Sequence, residues 1–377
     1  HDGQVQVGLI CSEKQAIDAT LRSLSDEDPR VGTVADKYWN ARGGSHTDGG
    51  SFIFNLEGNG STAGSKQLTC LDKFGKEVSV APGQVPYLPG RVYYVIEEEN
   101  RQRFNIGSFF ELQRPELLFD YLQQGSRTWD YSDFMDCLKE IRIWAKKGDA
   151  HFEVALSALT DMLDRRYPTY DKKRRSIVQM VSKTLESILR NFPSLDENAP
   201  APGTSDRKSA YRLIDWETRQ FFRGPSYDEK VLILDASLFP PEGDWCDSRL
   251  MAEAFFRGWR RFVVFGLRGQ RFHGCGFGPD SGGVRIDVYG SSGDYLGSGI
   301  DGLSIHVHGN AQDQLGQIMK SGKIVIYGDT GQTFLYGAKG GEVYVMGNAA
   351  GRPLINAVGK PRVLINGTCL DYLAESF

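Results

Sequence analysis

The stretches VRIDVYG (284–290), LSIHVHG (303–309), KIVIYG (323–328), EVYVMG (342–347) and RVLING (362–367) decide the architecture of the last quarter of the chain. Their closing glycines, Gly290, Gly309, Gly328, Gly347 and Gly367, lie 19, 19, 19 and 20 residues apart. A fixed period of this length marks a stacked repeat. Two residues before each glycine stand Val288, Val307, Ile326, Val345 and Ile365, and four before stand Ile286, Ile305, Ile324, Val343 and Val363. All are β-branched, and a spacing of two puts both columns on one strand face. Stacking makes them two inward aliphatic ladders. Asp287, Tyr289, His306, His308, Tyr327 and Tyr344 then point outward.

A second apolar position follows each glycine, at Leu296, Leu315, Phe334 and Leu354, and a second turn falls at Gly302, Gly322, Gly341 and Gly359. Each repeat reads as strand, corner, short strand, corner. Glycine suits corners because it tolerates positive φ and lets neighbouring backbones approach closely. One repeat per turn with same-sense strands predicts a parallel β-helix.

The blocks GQRFHGCGFG (269–278), YGSSGDYLGSGIDG (289–302), HGNAQDQLGQIMKSGKIVIYGDTGQ (308–332) and GGEVYVMGNAAGR (340–352) resemble the GXGXG domain. That domain ends the large subunit of glutamate synthase. It also occurs as a separate protein and as one of the subunits of formylmethanofuran dehydrogenase. The resemblance covers 262–377 and implies a right-handed parallel β-helix there. The chain departs from the family pattern at Gln317-Ile318-Met319-Lys320 and at Arg352-Pro353-Leu354-Ile355, and Phe377 falls inside a turn that the family would complete.

A length of 377 residues, with 40% hydrophobic and 24% charged residues, fits a globular chain of two or three domains. The net charge of −4 gives no electrostatic case for nucleic acid or an anionic membrane. No apolar run reaches the ~20 residues of a membrane span, and the N-terminus has no signal-like pattern. The cysteines at 11, 70, 137, 246, 275 and 369 form no CxxC pair, which argues against a zinc site or an iron–sulfur cluster on this chain. Free thiols in a reducing cytoplasm are the simplest expectation.

Along the chain, 1–128 reads as a mixed α+β domain with strands at 5–11, 51–56 and 91–98 and a turn-rich loop at 58–66. Residues 129–193 read as three helices. The first is capped by Ser132 or Asp133 and stopped at Gly148, the second ends before Pro168, and the third ends before Pro193. Residues 194–206 read as a linker and 207–261 as an α/β lead-in with strands at 230–236 and 261–266.

No catalytic, cofactor or metal site is assigned to the chain. His306 and His308 lie two apart on one strand face and could chelate a metal, but no third ligand stands at a matching repeat position, so they read as surface imidazoles. Asp294, Asp313 and Asp329 read as corner caps, because a calcium-binding β-roll needs a nonapeptide period. The glycines at 266–278 lack the helix that a dinucleotide fingerprint opens. The basic run 172–175 reads as a solvated face or as a dock for an acidic partner.

Residues 5–12 and 45–51 resemble the opening strand and Asp-Gly segment of class II glutamine amidotransferases. That chemistry needs a cysteine whose own α-amine is the base. The overlay puts the nucleophile position near Val5, not on Cys11, so the resemblance implies a degenerate copy. Together the resemblances imply a non-catalytic scaffold in a glutamate-synthase-like, cytoplasmic oxidoreductase complex, with FMN and iron–sulfur clusters on partner chains. The alternatives are a structural subunit of another redox complex, formylmethanofuran-dehydrogenase-like, or an amidotransferase acting through Cys11.

Overall fold

A computed structural model describes residues 4–8, 51–57, 67–71, 104–170, 172–195 and 209–377, the first three stretches by backbone alone. The chain divides into two units, His1–Glu99 and Asn100–Phe377. In the first, β1 (Gln4–Gly8), β2 (Ser51–Glu57) and β3 (Gln67–Leu71) form an antiparallel sheet in that order. Cys11, the segment 45–50, the loop 58–66 and the strand expected at 91–98 lie outside the described residues.

The second unit opens with helices. α1 (Gly107–Glu111) and α2 (Pro115–Thr128) precede α3 (Tyr131–Ala145), α4 (Asp149–Asp164) and α5 (Arg174–Leu189). The helical layer therefore begins earlier than the expected boundary at 129. In α2, proline occupies the first turn, where its missing N–H costs nothing, and Leu118, Phe119 and Leu122 bury one face. The cap of α3 is Asp130, whose carboxylate accepts the Asp133 N–H at 2.8 Å, so Asp133 donates where a capping role was expected.

Eight strands follow: β4 (Tyr211–Ile214), β5 (Val231–Asp235), β6 (Arg261–Phe265), β7 (Arg285–Val288), β8 (Asp301–Val307), β9 (Ser321–Ile326), β10 (Glu342–Val345) and β11 (Arg362–Ile365), with α6 (Asp247–Phe256) between β5 and β6. They pair sequentially, every pair parallel, in one open sheet. With the six helices described, this unit is an α/β fold, and that corrects the right-handed parallel β-helix expected over 262–377.

The reason lies in how the chain returns after each strand. Left-handed backbone recurs at alternate residues: Tyr295, Gly297 and Gly299, then Gln314, Gly316 and Ile318, then Thr333, Leu335 and Gly337, then Arg352, Leu354 and Asn356. An extended strand needs negative φ throughout. Each return therefore contributes single bridging residues, Ser292, Ala311, Thr330, Ala349 and Cys369, in place of a second strand ladder.

The sheet separates two cores. Ile286, Val288, Ile305, Val307, Ile324, Ile326, Val343 and Val345 lie in one, with Leu296, Leu315 and Phe334 from the returns and Met251 and Phe255 from α6. Tyr211, Leu213, Val231, Ile233, Val263, Phe265 and Tyr289 lie in the other, under the helices. Burial along the strands records where the helices stop. β5 is buried at every residue, whereas the last residues of β8 alternate. A strand covered on both faces is continuously apolar, and one covered on a single face alternates.

Candidate functional site

The repeat residues occupy β7 to β11, which form one end of the sheet. Ile286, Ile305, Ile324, Val343 and Val363 stand in register across β7 to β11. Gly309, Gly328, Gly347 and Gly367 form a column in which Gly328, Gly347 and Gly367 donate N–H to the carbonyl of the preceding glycine at 2.9, 3.0 and 2.9 Å. A Cβ at Gly347 would lie 2.4 Å from the Gly328 oxygen, so no other residue fits there without moving backbone. Gly290, at the head of the column, has φ of 123°. The acidic corners act as caps between repeats: Asp294 accepts the Asp313 N–H at 3.1 Å and Asp329 accepts the Asn348 N–H at 2.7 Å.

The outward face holds the polar chemistry, and α4 lies across it. Asp149 accepts from Ser209 Oγ at 2.8 Å and from the Ala210 N–H at 2.7 Å. Glu153 accepts from the Tyr211 hydroxyl at 3.0 Å. Thr160 donates to the Leu156 carbonyl, so the Tyr289 hydroxyl, 2.8 Å away, donates to Thr160. Asp164 accepts from His308. Positions 149, 153, 160 and 164 share one helix face. From the first to the last is about 22 Å of helix, and from β4 to β8 is about 19 Å of sheet. One helix thus spans five strands with a polar contact near each end.

At its far end this seam is charged. His308 Nδ1 lies 2.9 and 3.0 Å from the two oxygens of Asp164, and Nε2 lies 3.4 Å from Asp287 Oδ1. Arg285 holds Asp287 through Nη2 at 2.7 Å and Nε at 2.9 Å. The His308 ring is stacked between Tyr289, 4.4 Å away, and Tyr327, 5.2 Å away. An imidazole facing a carboxylate with each nitrogen donates twice only when protonated. The aromatic faces on both sides favour that cation.

Burial alone would make His308 less basic, but the Asp164 and Asp287 hydrogen bonds reverse this and raise its pKa. Burial works against the Asp287 carboxylate too, and its bonds from His308 and Arg285 override it, leaving the pKa well below the carboxylate range. Neighbouring His306 has no such carboxylate clasp. Burial lowers it to about 4, helped by the Arg285 charge.

The structure thus corrects the expectation of surface imidazoles: His308 is buried, and its carboxylate partner comes from a helix outside the repeat. The basic run 172–175 is likewise partly internal. Lys172 is buried, and Arg174 donates to the carbonyls of Leu163 and Arg165 at the end of α4, where a cation is favoured.

A second histidine pair ties α6 to the sheet. His273 and Asp247 are fully buried and 2.7 Å apart, and Asp247 also accepts the Ser248 N–H. Among the described residues no group of three or more His, Cys, Asp or Glu is arranged to hold a metal ion. Burial raises Cys275 to about 12 and pushes Cys137 higher still, which makes these two thiols poor metal ligands as they stand. A shallow cleft beside Asn191, Phe192 and Ser209 has a volume of about 30 Å³, room for one or two waters. No helix of the described residues is long and apolar enough to cross a membrane.

No curated protein and no solved structure matches the chain. Residues 266–376 match the model of the family described as GXGXG motif. The match begins at Gly266 and spans GCGFG, 274–278, whose glycines have φ of 82°, 82° and 76°, so the motif spells the alternate left-handed positions of the return. Over residues 266–376 the chain is therefore similar to the GXGXG motif family, which is associated with glutamate synthase-like proteins.

Proposed function

We propose that the chain is a non-catalytic bridging subunit of a cytoplasmic, glutamate-synthase-like oxidoreductase complex. The observation that carries this reading is the α4 seam. It fastens a helical layer onto a sheet built largely from the GXGXG segment, and it uses the buried acid and base groups of that face as internal partners. Buried charges matched in this way fix relative geometry, and Asp164, Asp287 and His308 are committed to one another rather than to a substrate. A scaffold needs that property, since its task is to keep two partners at a set distance.

In this reading the chemistry sits on other chains. An amidotransferase-like partner releases ammonia from glutamine. A partner carrying FMN and iron–sulfur clusters reduces the imine formed with 2-oxoglutarate. The test is purification of the native assembly with identification of its chains and assays for flavin and iron. Partners of those two kinds support the proposal. A molybdenum or tungsten subunit in their place moves the chain to a formylmethanofuran-dehydrogenase-like complex, and isolation as a cofactor-free monomer refutes both.

A further inference from the structure

α4 crosses the sheet on a diagonal. Glu153 meets Tyr211 at the start of β4, whereas Thr160 and Asp164 meet Tyr289 and His308, just past the ends of β7 and β8. Tyr211 belongs to a row that continues through Val231, Arg261, Arg285, Ser304 and Lys323 on β5 to β9. Tyr289 and His308 stand four residues, about 13 Å, further along their strands than Arg285 and Ser304. The helix therefore begins over this row and leaves it, which opens a wedge of sheet face on β6 to β9.

The wedge is basic. Arg261, Arg285 and Lys323 are exposed there, with Ser304 and His306 half-buried between them. From Arg261 to Lys323 the row spans about 14 Å. Among the described residues neither Arg261 nor Lys323 forms an ion pair, and the Ser304 hydroxyl has no partner. The carboxylates of this face are already engaged. Glu153 accepts from Tyr211, Glu342 from Tyr344, and Asp287 from Arg285 and His308. Arg285 spends Nε and Nη2 on Asp287, which leaves Nη1 for a ligand. Behind the row, His306 Nδ1 is buried without a hydrogen-bond partner. Burial lowers this imidazole to about 4, and Arg285 and Lys323 both add to the fall while Asp287 opposes it. His306 thus registers the positive potential of the wedge.

We propose that this wedge binds the diphosphate group of a small-molecule ligand. Ser304 and Lys323, on neighbouring strands, serve one phosphate. Arg285 Nη1 and Arg261, on the next two strands, serve the other. A single carboxylate would answer one of these cations, whereas two linked phosphates answer the whole row. Guanidinium forks suit phosphate oxygens, and a hydroxyl between two cations adds a neutral donor. A recess walled by one sign of charge also concentrates the opposite ion. The net charge of −4 restricts the basic character to this recess and selects a small polyanion over a nucleic acid. The site needs no partner chain and is independent of the bridging role.

The test is calorimetric titration of the full chain with inorganic pyrophosphate at low ionic strength. One saturable site should appear, with orthophosphate binding at least about tenfold more weakly because it spans half the row. Lys323→Gln and Arg261→Gln each remove one exposed, unpaired cation and should weaken pyrophosphate about tenfold. Lys360→Gln, an exposed lysine outside the wedge, should leave it unchanged. The imidazole resonances of His306, assigned with His306→Gln, should titrate at higher pH when pyrophosphate is bound, because a nearby anion favours the imidazolium. Absence of saturable pyrophosphate binding overturns the proposal. So does binding that Lys323→Gln and Arg261→Gln leave intact, binding that Lys360→Gln weakens equally, or binding that leaves the His306 titration unmoved.

Discussion

Asp164, the last residue of α4, accepts a hydrogen bond at 2.9 Å from His308, 144 positions later in the chain. A carboxylate at the C-terminal end of a helix is repelled by the helix dipole. A buried carboxylate also carries a desolvation penalty. Asp164 meets both conditions, and burial raises its pKa accordingly. Only a cation in contact offsets them, and the His308 imidazolium, steadied by Asp287 from its other side, is that cation.

Replacing Asp164 with Asn keeps the shape and removes the charge. Breaking one partner out of a buried pair should cost about 3 kcal/mol. The loss should appear as a lower urea midpoint, with faster amide exchange in α4 than in β9. Unchanged exchange in α4 would mean that the helix is held by its apolar contacts alone.

The two histidines of β8 give opposite pH dependences. The folded pKa of His308 is raised above 6.5, so its stabilisation is complete below 6.5 and disappears as pH rises through the folded value. That of His306 is lowered to about 4, so the unfolded chain takes up the proton first, and stability falls as pH drops from 6.5 toward 4. Unfolding free energy measured against pH should therefore fall away from about 6.5 on both sides. His308→Gln should flatten the alkaline arm alone, and His306→Gln the acid arm alone. A profile in which one substitution removes both slopes contradicts this assignment.

Two glycines of one return separate backbone strain from crowding. Gly299 has φ of 72° and open space around its missing Cβ, so Gly299→Ala should cost about 1 kcal/mol from the left-handed conformation. At Gly297, φ is 69° and an added Cβ would meet Ile324 Cδ1 at 2.7 Å. Gly297→Ala should therefore cost about 2 to 3 kcal/mol. Equal denaturation midpoints for the two variants would show that the core beside Ile324 yields freely.

Ile326 is fully buried in the ladder between Val307 and Val345. Ile326→Asp places an unpaired charge there and should cost several kcal/mol. Val358→Asp, at an exposed position of the last repeat, should change stability by less than about 0.5 kcal/mol. A folded Ile326→Asp variant with native circular dichroism would contradict the inward placement of that column.

What was legible in the sequence was local and periodic. The 19-residue spacing of the glycines is the same offset at which Ile286 pairs with Ile305, Ile305 with Ile324 and Ile324 with Val343. The course of the returns was not legible. Gln314, Thr333 and Arg352 take left-handed backbone without any compositional mark of it, so a run that read as a short strand became a chain of turns. The α4 seam was invisible for a different reason. Asp149, Glu153, Thr160 and Asp164 are ordinary surface residues of a helix until the sheet arrives beneath them. His308 looked exposed because its strand face was read without the layer that covers it. α1 and α2 were hidden by the strand-like reading of the residues before them.

The most direct test of the bridging role compares glutamine turnover by the isolated chain and by the native assembly. The isolated chain should hydrolyse no glutamine, while the assembly should make glutamate from glutamine and 2-oxoglutarate. Glutamine hydrolysis by the isolated chain would contradict the bridging role and return the N-terminal unit to consideration as an enzyme.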